Sequence, residues 1–223
     1  MCKRFWVAGL AFSAVWTADA NALVIDDFSV GATEIEVDGN VQGVTRVQLG
    51  LDTAGVLGGA REITVSAPGG DATFVVDANA QQAFFPLGTK TSVDVTLSYP
   101  FEPPADLRGS GGVLALEVSG ISSPISTGIY FMRMATGARG GVVTFDEQLL
   151  ALSSTEPRSG VIEIPLTDFT GVDFSEVTEV AVVMRDLPGS LTIAFDGIFV
   201  TPEPSSLLAA GVASITLLRR RRA

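Results

Sequence analysis

Carboxylates are the side chains of this sequence best able to take part in catalysis or ligand binding, because the usual neutral-pH catalysts are nearly absent. The 223 residues contain no histidine, and the single cysteine is Cys2. These absences exclude Ser-His-Asp and Cys-His catalysis, histidine-based zinc sites and the usual neutral-pH proton shuttle. The 25 acidic residues remain, together with hydroxyls and a few arginines. Carboxylates can serve glycoside hydrolysis or bind hard cations such as Ca²⁺.

Glu117 and Glu163 are the acids most likely to lie on a sheet face, because each lies in an apolar, strand-like run. Glycoside hydrolysis needs two carboxylates about 5 to 9.5 Å apart, one of them held protonated. A chain with this many acids contains such pairs by chance, so we interpret both residues as part of a solvated sheet face. The sequence therefore predicts no catalytic residue and a protein that is not an enzyme.

The elements that position these acids are predicted to be β-strands, because short β-type runs alternate with Gly, Pro, Ser and Asp. Alternation is clearest in residues 93–97 and 114–118, where every second side chain can face a core. Turns are predicted at 68–70, 102–104, 109–112, 140–141 and 188–189. The predicted strands are 23–28, 34–37, 44–49, 62–66, 73–77, 92–99, 113–118, 129–134, 142–145, 161–166, 178–184 and 191–200. About a dozen strands favour an all-β, antiparallel, two-sheet jelly-roll β-sandwich over residues 23–201.

The first 22 residues have the pattern of a secretory signal peptide. Lys3 and Arg4 precede the apolar run 5–16, and small residues follow, with cleavage preferred after Ala22. The alternative is an N-terminal anchor helix, which is disfavoured because a membrane span needs about 20 apolar residues.

Residues 202–223 consist of a Pro-Glu-Pro box, the hydrophobic segment 205–218 and an arginine-rich end. The prolines keep the backbone extended and exposed, as a processing enzyme requires. The arginines resist translocation and hold the end in the cytoplasm. As a helix, segment 205–218 is about 21 Å long, shorter than a hydrocarbon core of about 30 Å, which suits a temporary stop. A tail anchor and an interfacial helix are the alternatives.

This tail resembles the PEP-CTERM sorting signal of exported proteins in Gram-negative bacteria that make exopolysaccharide. The resemblance implies recognition by a membrane-embedded exosortase that removes the hydrophobic segment and the basic end. It also implies transient residence in the inner membrane before the protein is secreted or held at the cell surface. The recognition box would be Pro202, Glu203 and Pro204, and the membrane-retention residues would be Arg219, Arg220, Arg221 and Arg222.

The mature chain is predicted to be strongly acidic. Removal of both terminal segments takes six of the 14 positive residues and two of the 25 negative ones, which leaves 8 and 23 and a net charge of about −15. This charge argues against nucleic acid or an anionic membrane as a partner.

The central region resembles galactose-binding-like jelly rolls. The similarity lies in the opening residues 25–28, the stretch 106–116, the acidic turn 173–180 and the closing residues 191–198. In that family the first and last strands often lie side by side and hold a structural calcium ion. The resemblance therefore implies a calcium site of Asp26 or Asp27 with Asp196, completed by backbone carbonyls. The alternative is that these acids face water on edge strands.

Sugar binding is the function that this resemblance implies, but the chain is poor in the aromatic residues it normally uses. Both tryptophans, Trp6 and Trp16, leave with the signal peptide. The best candidates for an exposed aromatic platform are the segments 84–86 and 99–101.

We therefore expect a non-catalytic structural or adhesive component of the exopolysaccharide matrix, processed by signal peptidase and exosortase. The first alternative is a carbohydrate-binding module with exopolysaccharide as its partner. The second is an enzyme that uses carboxylates only. No cofactor other than structural calcium is expected.

Overall fold

The computed structural model describes residues 22–39, 43–68, 70–85, 92–108, 112–125, 128–189 and 191–201. These residues contain thirteen strands and one α-helix. In chain order they are β1 (Leu23–Asp26), β2 (Thr33–Val37), β3 (Val44–Leu49), β4 (Ala60–Ser66), β5 (Ala72–Asp77), β6 (Gln82–Phe84), β7 (Val93–Ala105), β8 (Val113–Ser119), β9 (Ile129–Thr136), β10 (Arg139–Thr144), α1 (Asp146–Ser153), β11 (Gly160–Pro165), β12 (Val177–Leu187) and β13 (Ala194–Thr201).

Two antiparallel sheets pack against each other around one core, which confirms the predicted all-β sandwich. One sheet has seven strands in the order β11-β8-β13-β6-β5-β2, with β1 also paired to β13. The other has six strands in the order β10-β9-β12-β7-β4-β3. Both contribute inward side chains to one continuous buried cluster.

Period-2 alternation determines which side chains form this core. Along β7, Val93, Val95, Leu97 and Tyr99 are buried while the residues between them are partly exposed. In β8, Leu114, Leu116 and Val118 join the core cluster. Successive residues of a strand point to opposite faces, so each of these strands presents one face to the partner sheet.

Two predicted turns were wrong. Residues 102–104 lie inside β7, and the prolines Pro103 and Pro104 fall where the pairing of β7 with β12 is irregular, between Pro100 and Ala105. A missing N–H is tolerated there because no regular ladder requires it. Gly140 and Gly141 lie within β10 and pair with β9, so they do not form a turn. Close packing accounts for the glycine at 141, because a Cβ atom there would lie 3.0 Å from the backbone of Phe169.

Two elements were not predicted. Strand β6 has only three residues and no visible period, yet it joins β5 to β13. Helix α1 is only eight residues long, begins with Asp146 and Glu147, and buries Leu149. Both are too short for a reliable periodicity signal.

The predicted signal peptide, residues 1–22, lies outside the described residues except for Ala22, and the predicted sorting tail, residues 202–223, lies outside them entirely. An N-terminal signal helix and a short C-terminal hydrophobic helix are expected to flank the sandwich, and these expectations, like the two sorting signals, stay predictions. Within the described part of the chain, no helix has both the length and the apolar character needed to span a bilayer.

Candidate functional site

The outer face of the seven-stranded sheet gathers aromatic rings, carboxylates and an amide on adjacent strands. On β13 the side chains of Phe195, Ile198 and Val200 enter the core, so Asp196 and Phe199 lie on the opposite face. On β6, Ala83 is buried in the core and its neighbours Gln82 and Phe84 are partly exposed. On β8, Glu117 lies between the core residues Leu116 and Val118.

A β-bulge places Asp196 beside Gln82. The register of β13 against β8 shifts between Phe195 and Gly197, so Asp196 is the extra residue. On its other edge β13 pairs first with β6 and then with β1, and Asp196 lies between these two pairings. Gln82 Nε2 donates a hydrogen bond to Asp196 Oδ1 at 2.5 Å, which orients the partly buried carboxylate.

Glu117 lies on the neighbouring strand, directly opposite Gly197 in the register. Partial burial raises the pKa of Glu117, and the negative charge of Asp196 raises that pKa further. The carboxylate of Asp196 therefore lies close enough on this face to disfavour the charged form of Glu117.

The ring of Phe199 lies over Gly197, in the space that a Cβ atom would occupy. Only glycine permits this close approach. On the same face, Phe84 lies opposite Ala194, whose small side chain is covered. Phe84 and Phe199 are both partly exposed. The result is two aromatic surfaces beside hydrogen-bonding groups, an arrangement that can contact the apolar face of a ring while bonding to its polar substituents.

The acids predicted to bind calcium have other partners. Strands β1 and β13 are indeed neighbours, with Asp26 opposite Ile198. Asp26, however, is fully buried, and its Oδ1 and Oδ2 accept hydrogen bonds from Phe28 N and Arg61 Nη1.

Asp27 Oδ1 accepts a hydrogen bond from Ser29 N at 2.9 Å, and Asp196 lies on the outer face with Gln82. Across the described ranges, no three His, Cys, Asp or Glu side chains form a group that could hold a metal. The residues present therefore do not fit calcium as one ligand set, and calcium binding stays a prediction.

Arg61 was missed by the sequence reasoning, although it occupies an inward position of β4 beside Ile63 and Val65. Its guanidinium is fully buried and bonds to Asp26, to Gln48 Oε1 and to the carbonyls of Val30 and Gly31. The sequence does contain a signal for this position. Arg61 precedes the core residues Ile63 and Val65 at a spacing of two, so strand alternation predicts that its side chain points inward. This cluster is enclosed and links the two sheets, so its role is structural.

The predicted aromatic platforms are mostly core. Tyr99 and Phe101 are buried at inward positions of β7, and Phe85 packs edge-to-face against Phe74. Of the segment 84–86, only Phe84 is placed on the outer face, while Pro86 lies outside the described residues. Strand alternation along β7 places Tyr99 and Phe101 in the core, and closeness to a turn does not expose them.

No protein family model matches the sequence, and no curated protein matches it either. Solved structures match at low similarity. The family 30 carbohydrate-binding module of a cellulosomal cellulase of Clostridium thermocellum has a TM-score of 0.40 and 14% identity, covering 82% of this chain and 98% of that chain.

A family 11 carbohydrate-binding module from the same organism, in complex with a β-1,3-1,4-mixed-linked tetrasaccharide, has a TM-score of 0.35 and 12% identity over 78% of this chain and 98% of that chain. An exo-1,3/1,4-β-glucanase from a Pseudoalteromonas species has a TM-score of 0.40 and 14% identity, covering 84% of this chain and 21% of that chain. At these scores the similarity carries no inference about ligand or activity.

Proposed function

We propose that this protein is an exported, non-catalytic component of an extracellular polysaccharide matrix and that it binds polysaccharide through the outer face of its seven-stranded sheet. The observation that carries this proposal is the placement of Phe84 and Phe199 beside Asp196, Gln82 and Glu117. Sugar rings have one apolar face and a rim of hydroxyls. Partly exposed rings beside oriented acceptors and an amide complement both features.

The binding site is tested with polysaccharide purified from the producing organism and with protein recovered from the same cells. Phe84→Ala and Phe199→Ala should each weaken binding about tenfold, equivalent to about 1.4 kcal/mol, because each removes a ring from the face. Phe131→Ala is the matched control, since Phe131 is a partly exposed phenylalanine on a strand of the other sheet. Equal loss in all three variants, or none in the first two, would overturn the proposed site.

Export is the second part of the proposal, and it rests on the sequence of the two ends. Signal peptidase would remove residues 1–22, and an exosortase would act at Pro202, Glu203 and Pro204. The body would then be released from the inner membrane of a Gram-negative cell and reach the medium or the cell surface.

Intact mass spectrometry of the protein from cells and medium tests this route. The expected extracellular mass lacks residues 1–22 and the segment 205–223, and deletion of the exosortase should leave a heavier, membrane-bound form. An extracellular protein that retains residues 205–223 would contradict sorting by cleavage.

A further inference from the structure

Within the described strands, positively charged residues occur in only one of the two sheets. The strands of the seven-stranded sheet contain no lysine or arginine, whereas those of the six-stranded sheet contain five arginines, at positions 46, 61, 133, 139 and 185. At outward positions the seven-stranded sheet carries acids that are all at least partly exposed. We call the surface that they form the acidic face: Glu34, Glu36, Asp77, Glu117, Glu163 and Asp196.

These acids lack cationic partners among the described residues. The four ion pairs found there are Arg61–Asp26, Arg108–Asp106, Arg133–Glu179 and Arg158–Glu156, and none includes a member of the acidic face. Glu179, on the six-stranded sheet, shows the contrast: Arg133 and Ser98 Oγ both bond to its Oε1.

Two members of the acidic face, Glu117 and Asp196, belong to the proposed polysaccharide site. Glu117 and Asp196 are both partly buried there, so water screens their mutual repulsion incompletely. A cation placed between them would relieve this repulsion, and an anionic polymer would increase it. Uronic acid chains and nucleic acids are therefore unfavourable ligands for this face.

We propose that the polysaccharide bound by this face carries free amino groups, as in a polymer of unacetylated amino sugars, with ammonium groups that pair with Glu117 and Asp196. This inference rests on the proposed function, because Phe84 and Phe199 would contact the sugar rings that carry those amines. A second copy of the chain is a poorer occupant. The outer face of its six-stranded sheet carries exposed arginines, but it also holds the acids Glu62, Asp94 and Glu179.

The test is a calorimetric titration of the mature protein with a glucosamine hexamer and with its fully N-acetylated counterpart, near pH 6 and at low salt. Under these conditions the amines of the first probe are protonated, and acetylation removes that charge while keeping the sugar ring. The glucosamine hexamer should bind at least tenfold more tightly, and its affinity should fall as salt is raised because the pairing is partly exposed.

Glu117→Gln and Asp196→Asn locate the charge effect on the acidic face. Each should weaken binding of the glucosamine hexamer at least threefold more than it weakens binding of the acetylated probe, because only the glucosamine hexamer also loses an ion pair. Glu62→Gln is the matched control, because it removes one negative charge from a partly exposed position on the other sheet. Circular dichroism of each variant confirms that it is folded.

Equal affinity for the two hexamers, or equal loss in Glu62→Gln and Glu117→Gln, would overturn the amino-sugar inference. In that case the proposed function would still stand if Phe84→Ala and Phe199→Ala weakened binding of the native polysaccharide. If those two variants bound it normally, the proposed site itself would fail. The two failures are therefore distinguishable.

Discussion

Asp26 and Arg61 form an ion pair inside the sandwich, with 2.7 Å between Asp26 Oδ2 and Arg61 Nη1 and no solvent exposure of either side chain. The pair joins β1 of one sheet to β4 of the other. Burial raises the pKa of Asp26, and Arg61 offsets that rise only in part. For the Asp26 carboxylate, desolvation therefore outweighs the attraction of the guanidinium, so the two sheets are joined through a carboxylate whose charged form depends on its partner.

Breaking this pair should be more damaging than replacing it. Asp26→Asn should lower the free energy of unfolding by about 3 to 5 kcal/mol, because it leaves the Arg61 charge buried without a counterion. The double variant Asp26→Leu with Arg61→Met should recover most of that loss. Chemical denaturation measures both. A double variant that is no more stable than Asp26→Asn would show that the two residues do not act as a pair.

The charge on Glu117 should make stability depend on pH. Because the folded-state pKa of Glu117 is raised, its stabilising contribution is fully present below the unfolded-state pKa and is lost as pH rises through the folded-state value. Glu117→Gln removes this dependence. The variant should therefore gain stability over the wild type as pH is raised from 4 to 7, measured by denaturation at each pH. A stability difference that is constant over this range would contradict the assignment.

Gly197 should be intolerant of a side chain because the ring of Phe199 occupies that space. Gly197→Ala should destabilise the fold by about 1 to 3 kcal/mol through overpacking and should weaken polysaccharide binding by displacing the ring. Adding Phe199→Ala should restore much of the stability but not the binding. A double variant as unstable as Gly197→Ala would indicate that the backbone, not the ring, is the obstacle.

Gln148 should protect the outer edge of the seven-stranded sheet. Its side chain in α1 donates to Glu163 O and accepts from Glu163 N on edge strand β11, both at 3.1 Å, as a neighbouring strand would. Gln148→Ala should cost about 1 kcal/mol and expose unpaired edge groups that favour self-association. Sedimentation should show concentration-dependent association for this variant but not for Glu147→Ala, an exposed neighbour on the same helix.

Calcium removal tests the ligand set predicted from the sequence. Because Asp26 is committed to Arg61 and to Phe28 N, we expect a chelator to leave the melting temperature unchanged. A melting temperature that rises with added calcium, and no longer does so in Asp196→Asn, would support the original calcium prediction instead.

Strand periodicity made most of the fold predictable. The residues of the candidate site could not be predicted as a group, because they are brought together by pairing between strands that are distant in sequence. Alternation in residues 93–97 and 114–118 correctly identified the buried faces of β7 and β8. The same signal placed Glu117 on a sheet face, where it is found. No sequence pattern indicates that Gln82 contacts Asp196. These residues are 114 positions apart and are neighbours only because β6 pairs with β13.

The sequence by itself determined the fold class and the absence of histidine and thiol chemistry from the body of the chain, and it predicts the export signals. These follow from local composition and period. Only the tertiary structure decided that Asp26 faces inward to Arg61, and that Phe199 lies over Gly197. Both outcomes depend on strand register and on a bulge, which are set by long-range pairing and packing.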